Sequence, residues 1–69
     1  MKKYIDVSYD VIMIDPEDNS YLDYIDGEFE SEKAAKLKAE SFNTEYAEDI
    51  KNNESGKAII RKVTREYFI

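Results

Sequence analysis

Carboxylates are the side chains through which this sequence has most scope for chemistry. Sixteen of the 69 residues are Asp or Glu. Asp23/Asp26, Glu28/Glu30 and Glu48/Asp49 stand as close pairs. Paired carboxyls cleave glycosidic bonds when they face each other across a cleft. A chain of 69 residues has little material to wall one. The stretch Asp15–Asp23, DPEDNSYLD, offers oxygens for calcium, but it has Pro at its second position and no Gly at its sixth. There is no His and no Cys. Imidazole bases, thiolate nucleophiles and the commonest metal ligands are therefore excluded. No Gly-rich phosphate loop occurs. The chemistry on offer is charge rather than catalysis. The sequence implies a protein that is not an enzyme and needs no cofactor or metal.

The charge is large and uneven. The formal net charge is −6. Residues 1–56 sum to −9, while residues 57–69, with Lys57, Arg61, Lys62 and Arg65 against Glu66, sum to +3. An acidic body argues against direct binding of nucleic acid, which needs a basic footprint. It favours a basic protein surface as partner. No apolar run approaches the ~18 residues of a membrane span, and the N-terminus lacks the apolar stretch of a signal peptide. The expectation is a cytoplasmic protein with no membrane partner.

The elements that position these charges follow from periodicity. Ile5, Val7, Tyr9, Val11 and Met13 alternate with Asp6, Ser8 and Asp10, as in a strand with one buried face. Val11–Ile14 is apolar throughout, which implies cover on both faces there. Asp15-Pro16-Glu17-Asp18-Asn19 reads as a turn. A second strand spans residues 20–30, with Tyr21, Ile25 and Phe29 on one face and Leu22 and Tyr24 on the other. Gly27 marks a bulge or bend within it. Ser31 is a helix N-cap with Glu32 behind it. One helix is predicted to run on to the Asn-Asn-Glu-Ser-Gly stop at residues 52–56. Ala35, Ala39, Phe42, Tyr46 and Ile50 form its core stripe. Leu37 points the opposite way. Residues 57–69 form a third strand, with Ile59, Val63, Tyr67 and Ile69 on one face.

The whole chain, residues 1–69, reads as a single α+β domain of ββαβ order. A right-handed crossover sets the third strand beside the first. The sheet is then antiparallel with order 2-1-3, and one helix packs on one of its faces. The other face receives Ile12, Ile14, Leu22 and Tyr24. An apolar face left open on so small a domain predicts a homodimer built on those four residues.

The acids also fall into clusters. Asp15, Glu17 and Asp18 crowd the turn, and Glu45, Glu48 and Asp49 crowd the end of the helix. Carboxylates so arranged are candidates to imitate a phosphate row and fill the basic groove of a DNA-binding enzyme.

One family shares this order of features. The segments SYDVIM (8–13), an acidic turn, YLDYIDG (21–27), and a helix holding Phe42 and Tyr46 four residues apart resemble the small dimeric phage inhibitors of uracil-DNA glycosylase. The likeness covers Ser8–Gly27 and the Phe42–Tyr46 pair. It implies an acidic dimer without cysteines that imitates DNA and blocks a host enzyme. It further implies that Phe42 enters an apolar pocket of that enzyme, with Glu45 and Tyr46 beside it. Leu37 is the exposed apolar alternative for that role. Two other readings stay open: an inhibitor of a CRISPR nuclease or other defence enzyme, and a plain structural or regulatory homodimerisation module.

Overall fold

The computed structural model describes all 69 residues. Its elements are β1 (Lys3–Ile14), β2 (Tyr21–Phe29), α1 (Glu32–Glu45), α2 (Ala47–Lys51) and β3 (Lys57–Phe68). The three strands form one antiparallel sheet in the order β2-β1-β3. The fold is α+β with ββαβ order.

β1 and β3 pair without a break, from Lys3 opposite Phe68 to Ile14 opposite Lys57. β2 is shorter and less regular. It pairs β1 only from Tyr9 opposite Phe29 to Ile14 opposite Tyr21, with three register shifts on the way. Glu28 has φ 61°, in the left-handed region, within this irregular stretch. Each shift turns side chains relative to strict alternation.

The helix starts where a cap is available: the Ser31 hydroxyl accepts the Ala34 amide at 3.1 Å. α1 then lays Ala35 and Ala39 on the sheet. Their small side chains let the helix approach closely, and they form a buried cluster with Val11 and Ala58. Tyr9, Ile25, Phe29, Phe42 and Ile60 pack around that cluster. The Asn43 side chain adds a polar anchor to β3. Its Nδ2 donates to the Ala58 carbonyl at 2.9 Å, and its Oδ1 accepts the Ala58 amide at 2.8 Å. A side-chain amide thus completes the β3 edge as a neighbouring strand would.

Three expectations are corrected. The helix does not run unbroken to the Asn pair. Tyr46 (φ −105°, ψ 22°) separates α1 from the short α2, so Tyr46 leaves the core stripe and stacks on Phe42 with ring centroids 4.7 Å apart. Ile5 and Val7 do not reach a core. They lie on the sheet face that α1 covers, but beyond its reach, and both are exposed. The proposed dimer face is also not bare. Ile12 and Ile14 are only 6% and 7% exposed within the single chain. Tyr24 and Ile59 flank Ile12, and Tyr21 and Lys57 flank Ile14. Leu22 leaves that face altogether. It lies with Met13 against Gly56, where an added Cβ would meet both side chains and the Ile14 carbonyl. Tyr21 takes the place expected for Leu22, because the register shift between Met13 and Ile14 exchanges them.

Asn43→Ala removes two hydrogen bonds and leaves the half-buried Ala58 peptide unpaired. It is expected to cost about 2 kcal/mol, read as a lower urea midpoint at unchanged slope.

Candidate functional site

From Tyr4 to Glu32, through the first hairpin and into α1, the chain carries ten acids and no base. β2 is an outer strand, so the acids of β2 and of the turn before it lie on a border of the sheet. Asp23, Glu28 and Glu30 are exposed along it and Asp26 is half-buried. The opposite border is β3, with Lys57, Arg61, Lys62 and Arg65. The sheet is polarised across its width.

Several of these carboxylates are held by the backbone. Asp15 Oδ1 accepts the Glu17 amide at 2.9 Å, Asp18 Oδ1 that of Ser20 at 2.9 Å, and Asp23 Oδ1 that of Tyr24 at 2.8 Å. Asp26 Oδ1 accepts the Gly27 amide at 2.8 Å. Asp18 is held below its ordinary pKa by its hydrogen bonds with Ser20. Carboxylates held in this way present their oxygens in a set direction.

The border continues onto one end of the molecule. The β1–β2 turn meets the loop that follows α2, where Asn53 Nδ2 donates to Glu17 Oε1 at 3.3 Å. Between them lies a cavity of about 530 Å³ with an apolar floor of Met13 and Leu22 and with Asp15, Glu17 and Glu54 in its wall. The amides of Glu54 and Ser55 both donate to the Asp49 carbonyl, which ties this loop back onto α2. The turn acids Asp15, Glu17 and Asp18 and the α2 acids Glu48 and Asp49 thus belong to neighbouring segments. Glu45, at the end of α1, is exposed and takes no part in the cavity lining. No group of three or more acidic side chains is arranged to hold a metal ion.

The structure separates the apolar candidates. Phe42 is partly buried and packs against the core cluster. Leu37 is 59% exposed on the outer side of α1, and Tyr46 is exposed beside Phe42. Sequence reasoning passed over the β2 border, Asp23, Asp26, Glu28 and Glu30, treating its members as isolated pairs. The absence of any Lys or Arg between Lys3 and Lys33 is the signal that would have found it.

One acid on the helix-free face does structural work. Asp10 is 6% exposed. Its Oδ2 accepts from Arg61 Nη2 at 3.0 Å, and its Oδ1 accepts the Glu28 amide at 3.2 Å. The Arg61 hydrogen bond, set against burial, holds the carboxyl below its ordinary value. The Arg61 guanidinium also lies 6.0 Å from the Tyr21 ring centroid, a weak cation–π contact. The Tyr24 hydroxyl sits by Asp10 above Gly27, whose missing Cβ leaves the space. Desolvation, then the nearby Asp10 charge, push the Tyr24 phenol up.

No protein family, curated protein or solved structure matches the chain. No helix is long and apolar enough to cross a membrane.

Because Asp10 titrates lower when folded, its pairing stabilises the fold above the ordinary carboxylate value of 3.8. That contribution fades as pH falls through the lowered value. Asp10→Asn should flatten the acid limb of the stability–pH curve. Arg61→Ala, which strands a buried carboxylate, should cost about 2 kcal/mol at pH 7. Denaturant midpoints from pH 2 to 7 check both.

Proposed function

We propose that this protein is a non-enzymatic inhibitor that occupies the basic, DNA-binding groove of an enzyme by presenting carboxylates where phosphates would lie. The observation that carries the reading is the acidic border, free of Lys and Arg, formed by β2 and the β1–β2 turn. Asp23, Asp26, Glu28 and Glu30 stand two or three residues apart, so at about 3.3 Å per residue their charges repeat roughly every 7–10 Å along the edge, as a row of separate anions. Backbone amides already hold Asp15, Asp18, Asp23 and Asp26, so little side-chain freedom is lost on binding. The polarised sheet also orients the molecule as it approaches a basic groove.

The partial likeness to phage inhibitors makes uracil-DNA glycosylase the first enzyme to test. Phe42 is engaged in the core, so apolar contact with the enzyme falls to Leu37 or Tyr46. The host-cell cytoplasm, where such enzymes work, is the compartment this reading requires.

Purified protein should suppress uracil excision near equimolar ratio. Full activity at a large molar excess removes this target. Asp23→Lys with Glu28→Lys should slow association about tenfold at low salt, and the difference should shrink at high salt. The pair Glu45→Lys with Glu48→Lys, on the helices, is the comparison. A larger loss from that pair would move the contact surface from the sheet edge to the helices.

A further inference from the structure

We propose that two copies of this chain join through the unpaired half of β1, with strands antiparallel about Ile5. The inference does not depend on the inhibitor reading. β1 is the central strand, yet β2 covers its outer edge only from Tyr9 onward. Lys3–Val7, all exposed, therefore has β3 on one side and no paired strand on the other.

The direction of each backbone group follows from the ladder. Lys2 and Ile69 exchange both hydrogen bonds, at 2.7 and 3.0 Å. In an antiparallel pair such exchanging residues alternate with non-exchanging ones. The register therefore makes Tyr4, Asp6 and Ser8 the residues that bond β3. Lys3, Ile5 and Val7 aim their amides and carbonyls into the open notch. Three donors and three acceptors stand in line on the inner strand of a sheet.

A second copy of the same segment fits that line. A two-fold axis normal to the sheet at Ile5 sets Ile5 against Ile5, and Lys3 against Val7 in both directions. Every outward amide then meets an outward carbonyl, and six hydrogen bonds close the ladder. Ile5, which is 62% exposed, gains an apolar neighbour. In that register the incoming Lys2 falls opposite Ser8, just past the Tyr9–Phe29 pair that ends β2.

The other edges are less suited. β3 paired with itself brings Arg61, Lys62 and Arg65 of two copies together, and Asn43 already occupies part of that edge. β2 presents its acids and the irregular backbone at Glu28.

Proline separates the edges. Ile5→Pro removes an amide that bonds nothing in the single chain, so the monomer should tolerate it. Thr64→Pro does the same on the outer edge of β3. By sedimentation equilibrium the parent chain should be dimeric. Ile5→Pro should raise the dissociation constant about 30-fold or more, and Thr64→Pro should leave it unchanged. Hydrogen exchange on the parent chain gives a readout free of any folding defect. The Lys3, Ile5 and Val7 amides should be protected at high concentration and lose protection on dilution. A monomer at all concentrations overturns the proposal. A dimer whose three amides exchange freely, or one that Thr64→Pro dissociates, overturns it equally.

Discussion

β1 is longer than anything the chain has to cover it. Its twelve residues extend about 40 Å. α1 has fourteen residues, but a helix advances less than half as far per residue and reaches only about 21 Å. The rest of the architecture follows from that mismatch. One half of β1 lies between two strands under the helix and holds the core around Val11. The other half continues as a two-stranded ribbon with β3, and the molecule is drawn out to 52 × 22 × 12 Å. Ile5, Val7 and Phe68 keep the alternation of a buried face in a region with nothing to bury them.

Charge is distributed by the same topology. Because β1 is central, the acid-rich strand that precedes the helix and the base-rich strand that follows it are forced to opposite borders. Asp10 and Arg61 are the one place where the two charge types meet in a part-buried hydrogen bond across the sheet. Elsewhere the acids of β2 remain without basic neighbours on their own strand, and their mutual repulsion keeps that edge from pairing with itself.

Much of the fold was legible in the sequence. Regular alternation in β1, the Asp-Pro turn, the Ser31 cap and the alanine stripe each state a local preference that the structure keeps. The crossover rule then left one arrangement for three strands. What escaped had non-local causes. The exchange of Tyr21 and Leu22 comes from a register shift against Met13 and Ile14, which only the paired strand reveals. Tyr46 has helical neighbours on both sides, and no Gly or Pro marks the break between α1 and α2 there. Ile12 and Ile14 looked uncovered because a linear pattern cannot show that flanking side chains close over a central strand. The acidic border was hidden differently, since its members are scattered in sequence and become a row only when β2 is an outer strand.

By itself, then, the sequence determined the element order, the helix start, the absence of His and Cys chemistry, and the excess of acid in the first hairpin. These depend on composition and on periods of two and 3.6, which are properties of one segment at a time. Tertiary structure decided which carboxylates share an edge, which aromatic belongs to the core, and where the ladder is left open. Those are relations between segments far apart in the chain, set by register and by the relative lengths of strand and helix.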